Sequence, residues 1–372
     1  MGVSCQLWIN QSNDGAYKPG TPVTGVVKYF IDVPTEYQKV FVSLLGKSKC
    51  RWTDSNGKTS NTYVGTETYI NHQINIINKT SEGTAHLQSG AYEYPFEFYL
   101  PEDLPSTYKD DNSWITYCVQ MKFVKPAFFS FNSVFASNIP VHGFVDHPNK
   151  PGTLVTDGPV IFGLEKALFA PFASKIPMIN LKAEIKKTFL TPGENVHLTC
   201  MVSNDTDLAI TAVKAELYYY TSYKSDYGNN KMVDGAVKGC QVETAGVASR
   251  KVETFKCVIS TLPQIFSIQN SKIISKRYAV RVTVRLPVPY INPTVQMPIV
   301  LGERRPLELY REAFESDSKP PTYWEAMREK KCDEKKEKKI NHLKTIRVTL
   351  AAYFFPTTPL YNFTQSIYIY IL

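Results

Sequence analysis

Residues 278–286 read Tyr-Ala-Val-Arg-Val-Thr-Val-Arg-Leu, with Tyr278, Val280, Val282, Val284 and Leu286 alternating against Ala279, Arg281, Thr283 and Arg285. A period of two places successive side chains on opposite faces of a strand. One apolar face and one cationic face are what a sheet with a wet side requires. The same alternation runs through Val23, Gly25, Val27 and Tyr29, then Tyr94, Phe96, Phe98 and Leu100, then Ile115, Tyr117, Val119, Met121 and Phe123, and again through Val295, Met297, Ile299 and Leu301. No long amphipathic helix competes with these runs before residue 305. The chain is read as all-β.

An internal duplication divides it. Tyr17-Lys-Pro19-Gly20 precedes the run at Val23–Val27, and Thr191-Pro192-Gly193-Glu194 precedes Val196-His-Leu198-Thr-Cys200. Pro presets φ at one turn position and Gly accepts positive φ at the next, so each pair is expected to make a type II turn. The separation of Pro19-Gly20 from Pro192-Gly193 is that of whole domains rather than of a short solenoid repeat. A chain of 372 residues suits two domains. The expected division is a β-sandwich over 1–150, a connector over 151–175, a second β-sandwich over 176–305 and an irregular C-terminal tail over 306–372. Within that tail Leu307–Glu315 could form a short helix, and the densely charged Trp324–Ile340 reads equally as helix or as disorder.

Charge bears on partners. Residues 321–372 hold nine Lys/Arg and five Asp/Glu, half of the formal net charge of +8, so the body is nearly balanced and the tail is basic. No concentrated basic surface of the kind that binds nucleic acid is expected. The run Arg328–Lys339 is read first as a solvated arm, with peripheral contact to an acidic membrane surface as the alternative. Val348–Leu372 carries no charge, but Pro356 and Pro359 interrupt it, so an irregular tail is preferred to a membrane anchor.

Seven scattered cysteines with no CxxC pair argue against a disulfide framework or a zinc site. The start MGVSCQLWIN lacks the basic and apolar regions of a secretory signal, so the expected location is the cytoplasm. The sequons at Asn10, Asn78, Asn204 and Asn362 are then chance matches, and Gln6 departs from the myristoylation pattern that Gly2 opens. The six histidines form no metal or triad signature, there is no phosphate-cradling Gly loop, and His197 is expected on the wet face of its strand. No catalytic residue, cofactor or metal is expected.

One short motif carries a mechanism. Pro320-Pro321-Thr322-Tyr323 is a PPxY sequence in the polar tail. Such segments hold an extended polyproline shape before binding, so docking into the aromatic groove of a WW domain orders little chain. Pro320, Pro321 and Tyr323 are the candidate partner-binding residues.

The chain resembles the arrestin family, and within it the α-arrestins, the arrestin-domain-containing proteins. The resemblance spans roughly residues 5–325. It rests on the order and spacing of Tyr17-Lys-Pro19-Gly20, Tyr94-Pro95-Phe96, Leu100-Pro101, Leu104-Pro105-Ser106, Pro192-Gly193-Glu194, Val202-Ser-Asn204, Val213-Lys214-Ala215-Glu216-Leu217, Pro298-Ile299-Val300-Leu301-Gly302 and Pro320-Pro321-Thr322-Tyr323. It implies the arrestin fold: two tandem immunoglobulin-like sandwiches of seven strands each, joined by a short hinge. It further implies a non-enzymatic trafficking adaptor linking cytosolic regions of membrane receptors or transporters to a WW-domain HECT-type ubiquitin ligase. Such an adaptor is cytoplasmic, with recruitment to the plasma membrane and endosomes. Two departures stand out. Leu168-Phe-Ala-Pro-Phe-Ala173 replaces a cysteine cluster frequent in the family connector, and only one PPxY is present where many members carry two. A ligase-independent arrestin or retromer-like sorting protein is the alternative, and a secreted structural tandem sandwich is the outsider.

Overall fold

The computed structural model describes residues 2–12, 14–55, 57–77, 85–126, 132–145, 158–168, 176–305 and the backbone of 365–371. Twenty strands and no helix are found among them. The first half contains β1 (Val3–Ile9), β2 (Pro22–Ile31), β3 (Thr35–Tyr37), β4 (Lys39–Ser55), β5 (Ser60–Ile77), β6 (Ala85–Leu87), β7 (Gly90–Tyr99), β8 (Tyr108–Lys109), β9 (Ser113–Val124) and β10 (Ser133–Ile139). The second contains β11 (Val160–Ala167), β12 (Met178–Ile185), β13 (Phe189–Leu190), β14 (Val196–Asp205), β15 (Ala212–Lys224), β16 (Asn230–Thr244), β17 (Val252–Ile259), β18 (Ile274–Arg285), β19 (Thr294–Leu301) and β20 (Gln365–Ile371).

The alternating runs form the inner faces. Ile115, Tyr117, Val119, Met121 and Phe123 on β9 are fully buried, as are Val280, Val282 and Val284 on β18. Gly25 sits where the β1 backbone and the Phe96 ring come so close that a Cβ would lie 2.3 Å from the Trp8 carbonyl oxygen. His197 is exposed, the face expected for it. Both Pro-Gly turns close as type II. Gly20 has φ 79° and Gly193 has φ 87°. Thr21 N–H donates to the Lys18 carbonyl at 3.2 Å, and Glu194 N–H to the Thr191 carbonyl at 3.0 Å.

In the first sandwich a three-stranded sheet, β1-β2-β7, accompanies a larger sheet ordered β10-β9-β4-β5, with β8 paired to β9 and a separate β3-β6 ribbon. The second sandwich has two five-stranded sheets, β17-β14-β12-β11-β20 and β13-β19-β18-β15-β16. Its core draws Phe162 and Leu164 from β11, Leu181 from β12, Leu198 and Cys200 from β14, and Met297 from β19. Seven strands per sandwich is thus too few. In the first half β3, β6 and β8 are the short additions; in the second, eight strands remain even when the short β13 and the edge strand β20 are set aside. The tail is also not irregular throughout, because Gln365–Ile371 is a strand on the edge of β11. The proposed helix at 307–315 and the charged stretch 324–340 lie outside the described residues. No helix among the described residues is long and apolar enough to cross a membrane.

The compact units do not follow chain order. One unit comprises Met1–Val145 together with Tyr220–Val233 and Ser267–Lys276; the other comprises Asp146–Tyr219, Asp234–Phe266 and Arg277–Leu372.

Candidate functional site

Pro320, Pro321 and Tyr323 of the PPxY motif lie outside the described residues. Among the described residues no group of His, Cys, Asp and Glu could hold a metal ion. Two features absent from the reading of the sequence occupy the first unit: a polar clasp and a set of outward apolar residues on one sheet.

The clasp begins with a β-bulge. Between β4 and β5, Gly46 pairs with Ile70 and Lys47 with Thr68, leaving Tyr69 as the extra residue. A bulge re-aims a side chain, and here the Tyr69 hydroxyl bonds Ser48 Oγ at 2.9 Å and Ser271 Oγ at 2.8 Å. Burial pushes the Tyr69 phenol well above its ordinary range, which keeps it a hydrogen-bonding hydroxyl. Beside it the Glu67 carboxylate accepts from Ser271 Oγ and from the Lys272 backbone N–H, both at 2.9 Å.

Segment 220–233 is held in the same way. Thr66 N–H donates to Asp226 Oδ1 at 3.0 Å, and Asp226 N–H donates to the Val64 carbonyl at 3.0 Å. The buried Cys50 thiol donates to the Lys224 carbonyl at 3.3 Å. Gly65 makes this approach feasible, since a Cβ there would stand 2.2 Å from the Lys224 carbonyl oxygen. Asp110 then collects hydroxyls from Tyr223 at 2.6 Å and Tyr108 at 2.8 Å on one oxygen, and from Ser113 at 2.9 Å on the other. Lys276 reaches the Tyr108 hydroxyl at 3.1 Å with its ammonium over the Tyr108 ring. Burial lowers the Lys276 pKa, and the nearby Asp110 carboxylate works against that shift. Every acid in the clasp is spent on donors, so the arrangement can hold backbone in place but offers no poised acid–base pair.

The outward set lies on the outer face of β1-β2-β7, where Trp8 stands opposite Val26 and Val26 opposite Pro95. Trp8 is 60 % exposed, with Phe30 at 45 % and Tyr99 at 63 % on the same sheet. Lys28 and Glu93 pair at 2.7 Å. The Lys28–Glu93 pair lies between Val26–Pro95 and Phe30, and Glu97 lies between Pro95 and Tyr99, so the exposed aromatic residues are interspersed with charge. For this face the sequence signal was present: Trp8, Val26, Phe30 and Tyr99 are among the apolar residues at outward parity.

Comparison with known proteins places this architecture. Residues 5–147 match the family described as "Arrestin (or S-antigen), N-terminal domain", and residues 178–306 match "Arrestin (or S-antigen), C-terminal domain". The chain belongs to the arrestin family. Its relatives include Arrestin domain-containing protein 5 of Bos taurus, 23 % identical over 81 % of this chain and 92 % of that protein. Arrestin domain-containing protein 17 of Caenorhabditis elegans is 23 % identical over 77 % of this chain and 67 % of that protein. Arrestin domain-containing protein 4 of Homo sapiens is 24 % identical over 80 % of this chain and 71 % of that protein. These relatives are α-arrestins and point to an arrestin-like trafficking adaptor, a class that is generally non-enzymatic.

Proposed function

We propose that this arrestin-family chain is a cytoplasmic adaptor that binds cytosolic regions of membrane receptors or transporters. It presents Pro320, Pro321 and Tyr323 to a WW-domain HECT-type ubiquitin ligase, so that ubiquitinated cargo enters endocytic and endosomal sorting. The observation that carries the reading is the order along the chain: two arrestin domains, the second ending at residue 306, then a PPxY motif that begins shortly afterwards at Pro320. The exposed Trp8, Phe30 and Tyr99 on the β1-β2-β7 sheet add support, because they offer apolar area to a partner. The basic residues after Tyr323 would favour recruitment to acidic membrane surfaces.

The test is a pull-down from cell lysate with the full chain and its Tyr323→Ala form, probed for WW-domain ligases. Recovery by the unsubstituted chain, lost in Tyr323→Ala, is expected. As an anchor in a WW pocket, Tyr323 should contribute roughly 1–3 kcal/mol. Equal recovery by both forms, or none by either, would leave a ligase-independent arrestin as the surviving reading.

A further inference from the structure

Strand β20 reaches its place from far along the chain. β19 ends at Leu301 and β20 begins only at Gln365. The two belong to different sheets, and among the described residues the sole sheet neighbour of β20 is β11. Its ladder has seven antiparallel pairs from Val160↔Ile371 to Lys166↔Gln365.

The match of residue types is regular. Ile371, Ile369 and Ile367 stand opposite Val160, Phe162 and Leu164, three residues at most 1 % exposed in the core of the second sandwich. The intervening positions set Tyr370 opposite Ile161, Tyr368 opposite Gly163 and Ser366 opposite Glu165. Gln365–Ile371 contains no charge and no Pro, and five of its seven residues are Ile or Tyr, which suit a pleated surface. The edge of β11 carries charge only at Glu165 and Lys166. A sheet edge that reads Val-Ile-Phe-Gly-Leu, with neither Pro nor charge, accepts added strands unless covered.

We propose that the outer edge of β11 is a strand-docking site for extended, uncharged segments with an apolar residue at every second position, filled by the chain's own Gln365–Ile371 until a partner segment replaces it. Main-chain hydrogen bonds supply the attachment, and the core-facing positions at Val160, Phe162 and Leu164 select the alternation. Pro320, Pro321 and Tyr323 fall between Leu301 and Gln365 in sequence. The inference stands whether or not that motif recruits a ligase.

The probe is a labelled peptide with the sequence Gln365–Ile371 between flanking lysines, offered to the full chain and to a Tyr368→Pro/Ile369→Pro variant. Adjacent residues alternate between pointing their N–H at the ladder and away from it, so one of the two prolines removes a bonded donor. The variant should bind the peptide at least tenfold more tightly than the unsubstituted chain. It should also lose amide-exchange protection at alternate β11 residues and regain it when the peptide is added. A second variant, Ile161→Cys/Tyr370→Cys, substitutes directly opposed positions. Oxidised to a disulfide it should exclude the peptide, and reduction should readmit it. Equal binding by the unsubstituted and proline forms, no binding by the proline form, or unchanged β11 protection in it would overturn the proposal. A full chain sedimenting as a dimer that the prolines dissociate would assign the strand to a second copy and overturn its placement within one chain.

Discussion

Glu216 is buried on β15, and its carboxylate accepts from Lys214 Nζ at 2.6 Å and from the Arg281 guanidinium at 2.6 and 2.9 Å. Arg281 also lies 3.6 Å from the centre of the Tyr218 ring, whose hydroxyl bonds Asp234 at 2.6 Å. Alternation in 278–286 placed Arg281 on the outer face, and that holds, but its partner is set by the pairing of β18 with β15, which no local pattern encodes. Burial alone would raise the Glu216 pKa; the bonds from Lys214 and Arg281 outweigh it and hold the carboxyl below its ordinary range. A depressed carboxylate stabilises the fold above its unfolded pKa, and that contribution is lost as pH falls through the folded value. Glu216→Gln should therefore cost about 2 kcal/mol at pH 7. Its urea midpoint should converge on that of the unsubstituted protein as the pH falls below the folded carboxyl's lowered pKa, and a pH-independent gap between the two would contradict the assignment. Asn204 gives a second residue-scale lesson. Its sequon is spent inside the fold: Nδ2 donates to the carbonyls of Leu208 at 2.7 Å and Ala248 at 3.0 Å, while Oδ1 accepts from Thr206 Oγ1 at 2.6 Å. The sequence showed a motif; the buried network explains why Asn is there.

At the scale of elements, strand identity was legible and strand pairing was not. Period two marked β2, β7, β9, β18 and β19, because one buried face leaves a trace at every second residue. The long β4–β5 hairpin left a weaker trace. Its bulges at Val40/Phe41 and Gly46/Lys47 break the alternation that would have announced it. β20 was obscured differently, by lying in an uncharged stretch whose prolines suggested irregular chain. Gly65 shows how a single β5 residue decides what an element can receive. A methyl group there would meet the Lys224 carbonyl oxygen and the Cys50 sulfur, at 2.2 and 2.9 Å. Backbone cannot yield as the end of a flexible side chain can, so Gly65→Ala should displace segment 220–233 and cost roughly 1–3 kcal/mol, as overpacking does. The Asp226 amide should then exchange faster than in the unsubstituted protein. Unchanged exchange at Asp226 would show that the close approach does not constrain the segment.

For the whole molecule, the duplicated Pro-Gly turns announced two sandwiches because each turn must be followed by a strand that covers its own core. The same logic is blind to segments that leave one compact unit for another. Tyr220–Val233 and Ser267–Lys276 come late in the chain yet belong with Met1–Val145. Their anchors are Glu67, Asp110, Val64 and Thr66, polar groups whose targets lie far away in sequence. Such bonds leave no periodic signal. Membership by space rather than by sequence has a measurable consequence, because amides within one cooperative unit open together. Met121→Ala empties a fully buried position on β9 and should cost about 3 kcal/mol. If the units are as the structure divides them, the backbone amides of Asp226 and Lys272 lose protection in step with those of β5, despite their distance in sequence from Met121. The amide of Leu217, close before Asp226 in sequence but in the other unit, does not follow them. Asp226 and Lys272 retaining their protection in Met121→Ala, while β5 loses its own, would mean that these segments stand on the second sandwich and that the clasp bonds do not govern their stability.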